Sequence, residues 1–129
     1  MKYQSKIIAH DSEGLQMISA CCANAEVFVS NIKYLENNKI FLVSLKRSKI
    51  ETDNKDKKIN SILKFEFIEE SKSKNIKQND PDQKLELLAI DYLKNKDNYE
   101  INLIFTNNAH IALSSEIIDV SLEDQQKID

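Results

Sequence analysis

A chain of 129 residues with 41% hydrophobic and 30% charged residues has the size and composition of one globular domain. A formal net charge of -3 argues against a general nucleic-acid binder, and a lone glycine rules out a glycine-rich phosphate loop. The longest apolar runs, such as "LLAI", reach four or five residues, whereas a membrane-crossing helix needs ~20. The opening "MKYQSKIIAHDSE" has too short an apolar patch for a signal peptide, and two adjacent cysteines suit a reducing compartment, so a cytoplasmic location is expected.

In chain order, a short strand at Lys6 to Ala9 is followed by Asp11, a good helix N-cap, with Glu13 in the first turn where the helix dipole favours negative charge. The helix is expected from Ser12 to about Ala23. Leu15, Ile18 and Cys22 form its buried stripe, and Cys21, turned about 100° away, should be the more exposed thiol. From Glu26 onward the pattern alternates with period two. "EVFVSNIKYLENNKIFLVSLKRSKIE" reads as a long hairpin, with a bulge near Ser30 and Asn31 and a type I′ turn at Asn37 and Asn38.

The return strand offers Phe41, Val43 and Leu45 to the core before entering the basic "KRSKIE" and the apolar-free loop "TDNKDKK". Next comes "ILKFEFIEESKSKNI", read as one strand with Leu63, Phe65 and Phe67 inward. "KLELLAIDYLK" follows a turn marked by Pro81, with Leu85, Leu87 and either Ala89 or Ile90 inward. A last hairpin pairs "YEINLIF" with "HIALSSEIIDVSL" across Asn107 and Asn108, and a change of phase at Ile118 predicts a bulge or a short terminal helix. The expected fold is α+β, one N-terminal helix on a curled antiparallel sheet of six or seven strands, resembling a pleckstrin-homology half-barrel. Residues 1–124 form the expected domain and 125–129 a frayed acidic tail.

Candidate chemistry is sparse. Adjacent helical cysteines diverge, and structural zinc wants separated C-x-x-C pairs. His10 beside Asp11 lacks a third orienting group, His110 sits at an exposed turn, and Glu69 and Glu70 point to opposite faces of a strand. No catalytic residue, metal or cofactor is therefore assigned. The basic residues carry most weight: seven of them face three acids between Lys46 and Lys64, while Glu116 to Asp129 holds five acids against Lys127. Arg47 and Lys49 end one strand and Lys72 and Lys74 the next. In a meander those ends could form one positive face for an acidic protein surface or another anionic ligand.

The order of "AHDSEGLQMISA", then Leu45, Arg47 and Glu51, then "LLAI" at Leu87 to Ile90, then Phe105 before a small-residue turn, resembles the alphaproteobacterial domain-of-unknown-function family 2948. The resemblance spans nearly the whole chain. Departures are Ile50 in place of an aromatic, Lys72 and Lys74 in place of arginines, and "TNNA" in place of a glycine-rich turn. His10 stands where the family carries an apolar residue, and the cysteine pair is outside its pattern. The resemblance implies a housekeeping setting near cell-wall precursor synthesis and no activity. Three readings follow: a non-catalytic binding or interaction module acting through Arg47, Lys49, Lys72 and Lys74; a small enzyme or accessory factor of envelope-precursor metabolism whose groups, such as His10, Arg47, Glu51 and Glu66, converge only in the fold; and a structural homodimer.

Overall fold

A computed structural model of the chain describes residues 6–48, 58–77 and 79–125. Asp11 caps the helix as expected: its side chain accepts from the Gly14 N–H at 2.8 Å, and α1 runs Ser12–Cys21. Cys22 is the C-cap of α1, its N–H still bonded to Ile18 O at 3.0 Å, and both cysteines are buried, correcting the exposed Cys21: three and four residues beyond Ile18, both fall on the packed side of the helix. Neither is in a disulfide.

Ten strands, all paired antiparallel, make one sheet among the described residues: β1 (Lys6–Ala9), β2 (Ala25–Phe28), β3 (Ile32–Leu35), β4 (Ile40–Ser48), β5 (Lys58–Phe65), β6 (Ile68–Lys74), β7 (Lys84–Lys94), β8 (Tyr99–Phe105), β9 (His110–Ser115) and β10 (Val120–Asp124). The expected six or seven become ten because three stretches read as single strands each break. The first breaks at a 3₁₀ turn over Val29–Asn31, where a bulge was expected. There the chain leaves β7, which β2 pairs along four residues, and continues as β3 beside β4. The second breaks at Phe67, whose φ of 60° turns the chain from β5 into β6. Phe67 is thereby left exposed and Ile68 takes the inward place expected of it. The third breaks at a corner before β10, where the Ser115 hydroxyl donates to the Ile117 carbonyl at 2.7 Å.

Turn chemistry divides the two hairpins. Asn107 and Asn108 adopt φ of 62° and 59°, the left-handed pair that a type I′ turn requires. Asn37 and Asn38 do not; they close a 3₁₀ turn, and Lys39 takes the positive φ of 57° instead. In β7 the register slips between Leu87 and Ala89, which puts Leu85, Leu87 and Ile90 inside. Gln125 still donates its N–H to Asn60 O at 2.7 Å, so the pairing of β10 with β5 outlasts Asp124; residues 126–129 lie outside the described residues.

Strand order is β1-β10-β5-β4-β2-β7-β8-β9-β6, with β3 branching from β4. The sheet curls until β6 meets the turn between β3 and β4: Ile68 N–H donates to Lys39 O at 2.8 Å, and the Tyr34 hydroxyl donates to Ile68 O at 2.8 Å. The inner face holds one apolar cluster that includes Phe41, Val43, Leu63, Phe65, Leu87, Leu103, Leu113 and Leu122. Helix α1 adds Leu15, Ile18 and the cysteines to it, touching β1, β7 and β10.

Candidate functional site

Arg47 is the inward residue that follows Phe41, Val43 and Leu45 in the period-two row of β4, and it is 1% exposed. The same row ends at Ser61 in β5 and at Asp124 in β10, both equally buried. These three polar ends meet: Arg47 Nη2 reaches Asp124 Oδ1 at 2.9 Å, Arg47 Nε donates to Ser61 Oγ at 3.1 Å, and Ser61 Oγ donates to Asp124 Oδ1 at 2.8 Å. A guanidinium out of water is tolerable because a carboxylate and a hydroxyl accept its hydrogen bonds. Arg47 therefore belongs to an internal tie between β4, β5 and β10 and not to a basic surface.

Of the other members of the expected basic face, two are described, and they lie away from Arg47 in the strand order. Lys49 lies outside the described residues. Lys72 and Lys74 are exposed on β6, and Lys72 pairs with Glu70 at 3.4 Å. Strand β6 is paired along β9, at the opposite end of the strand order from β10 and β5. The described members of the enzyme constellation do not converge: His10 is exposed beside Asp119 at 3.8 Å, Arg47 is internal, and Glu66 sits 4.0 Å from Lys64, while Glu51 is outside the described residues. His110, expected to be exposed, is half-buried with its Nε2 2.8 Å from Asn102 Oδ1. Among the described residues no three His, Cys, Asp or Glu side chains converge as a metal site requires.

What the fold does build is a cleft of about 490 Å³ between β3 and β6. Ile32 and Tyr34 form one wall, Ser71 and Ser73 the other, and Phe41 and Ile111 the floor. The serines are the reason it exists. Their cross-strand partners on β9 are Leu113 and Ile111, both buried, so Ser71 and Ser73 occupy inner-face positions where an apolar strand would carry bulk. The "SKSK" alternation in the sequence, small hydroxyls inward and lysines outward, is the signal that sequence reading missed.

The cleft is closed at one end by the bonds from Tyr34 and Lys39 to Ile68. At the other end Pro81 O accepts from Ser30 N–H at 3.2 Å and Gln83 O accepts from Val29 N–H at 3.0 Å, which brings Ile76 and Pro81 over the opening. Burial raises the Tyr34 phenol above its ordinary pKa, and the carboxylates of Glu36 and Glu69 add to the effect. Elsewhere, on the outer face, Glu26 is held below the ordinary carboxylate pKa by its hydrogen bond to Lys84, 3.0 Å away, and by the charge of Lys58.

No curated protein and no solved structure matches the chain. Among the described residues no helix is long and apolar enough to cross a membrane. The family model described as "Protein of unknown function (DUF2948)" matches residues 5–128, nearly the whole length, and the chain belongs to that family.

Proposed function

We propose that this chain is a non-catalytic binding module whose contact site is the β3–β6 cleft, with Lys72 and Lys74 on its outer rim. The observation that carries the reading is the composition of the cleft walls. They hold apolar side chains, three serines and one tyrosine, and no carboxylate, imidazole, thiol or ammonium among the described residues. A serine hydroxyl is a weak nucleophile without an adjacent base, and among the described residues none lines this cleft beside Ser30 or Ser71. A concave, largely apolar surface with a few polar groups is the usual form of a binding site.

The test is capture from an extract of the protein's own cells, with mass spectrometry of retained small molecules and proteins. Wild type is compared with Ser71→Trp, which fills the cleft, and with the pair Lys72→Glu and Lys74→Glu, which reverses the rim. Loss of a retained species in S71W alone places contact in the cleft, and loss in both places it in the cleft and rim together. Identical retention by all three proteins overturns the reading, as does turnover of a retained small molecule by the wild type.

A further inference from the structure

Resting on the reading of the cleft as the contact site, we infer that its occupant is an uncharged small molecule with a flat apolar body and a hydroxyl, carbonyl or amide group. Size is the first argument. A cleft of about 490 Å³ falls within the range of small-molecule pockets, about 300–1,000 Å³, and hydrogen bonds cross the fold near each of its ends. An extended peptide would need an open run along a strand edge. The cleft instead stops at the Tyr34–Ile68 bond and at Pro81, and β6 carries exposed Lys72 and Lys74, residues that discourage strand addition.

Charge is the second argument. Among the described residues no ionised side chain lines the cleft, so a charged ligand entering it would lose hydration without gaining a counter-ion. Near the Tyr34 end Lys39 is paired with Glu69 at 3.1 Å and Lys72 with Glu70 at 3.4 Å, so neither lysine is a ready counter-ion for an anion in the cleft. Shape and polarity are the third. Tyr34 and Phe41, with ring centroids 6.1 Å apart, offer aromatic surface against which a flat body can pack. Ser30 and Ser71 supply hydroxyls that can donate or accept, matching one neutral polar group on the ligand.

The experiment uses two fluorescent probes that share one ring system. N-phenyl-1-naphthylamine is uncharged, and 1-anilinonaphthalene-8-sulfonate adds a sulfonate. Titration of the full chain should give saturable enhancement of the neutral probe at one equivalent and affinity for the sulfonate at least about tenfold weaker. Ser71→Trp, and independently Ser30→Trp in case the first fails to fold by circular dichroism, should each weaken the neutral probe by about tenfold or more. Equal binding of both probes, or no saturable binding of the neutral one, overturns the ligand class. Probe binding that survives both tryptophans puts the apolar site elsewhere and overturns the inference. If S71W abolishes retention from extract while the neutral probe never binds, the cleft stands as the contact site and only its uncharged occupant falls. If the probe binds there but retention is indifferent to S71W, the converse holds.

Discussion

Among the described residues the curled sheet is treated differently under the helix and between β3 and β6. Under the helix, β2 stops pairing with β7 at Leu87, and α1 takes over: the Ser19 hydroxyl accepts from the Ile90 N–H at 2.9 Å, and Leu15 and Ile18 fill the space beneath. Across the helix, Gly14 lies so close to β1 that an added Cβ would stand 2.9 Å from the Ala9 Cβ. At the opening between β3 and β6, no helix among the described residues covers the gap, and serines stand where bulk would close it. The helix side is sealed by close packing and the cleft is tied near its ends. Stability should therefore reside on the α1 side and binding on the β3–β6 side.

The largest effect is expected at the tie between β4, β5 and β10. Asp124→Ala removes the carboxylate from Arg47 and should cost about 3–5 kcal/mol in urea denaturation. Replacing both Arg47 and Asp124 by apolar residues of similar size should cost clearly less, because no buried charge is left behind. If the single and double variants are equally destabilised, the tie is not electrostatic in origin.

Next, one chemical change can be made on each side. Ile18→Ala, under the helix, should cost about 2–5 kcal/mol, since the close-packed site cannot collapse around the void. Ile32→Ala, on the half-buried cleft wall, should cost about 1 kcal/mol. Equal costs would mean the cleft is as tightly packed as the helix interface. Gly14→Ala tests the same seal by overfilling it. Alanine ordinarily favours a helix over glycine by about 1 kcal/mol, but the contact with Ala9 is backbone-like and cannot move away, so a net loss of about 1–2 kcal/mol is expected.

The smallest effect concerns the tie at the cleft's end. Tyr34→Phe removes one hydrogen bond to Ile68 and should cost about 1 kcal/mol. Because the phenol's pKa is raised in the fold, its contribution is complete below the unfolded phenol value and is lost as pH rises through the higher folded value. Absorbance titration of phenolate should show a late step among the four tyrosines of the chain that is missing in Y34F. A late step that persists would mean Tyr34 is not the shifted group.

Much of this was readable from residue order. The Asp11 cap, the α1 stripe and the Asn107–Asn108 turn rest on interactions within a few residues, and they stand in the structure as expected. Even the burial of Arg47 was implicit, since the inward phase of Phe41, Val43 and Leu45 continues to it; its charge pulled the reading outward. Cys21 was misjudged because, three residues beyond Ile18, it shares the packed side of the helix with Cys22, and Phe67 because a positive φ at an aromatic carries no compositional signal.

Local chemistry was thus enough for fold class, helix placement and the inward rows of most strands, because capping, turn preference and two-residue alternation are short-range effects. Where strands break, which partner each takes, and how far the sheet curls depended on contacts between residues distant in the chain. Asp124 reaches Arg47 across 77 positions and Ile90 reaches Ser19 across 71. The cleft belongs to that second class: Tyr34 and Ser71 become its walls only because packing of the whole inner face brings β3 opposite β6 and leaves room between them.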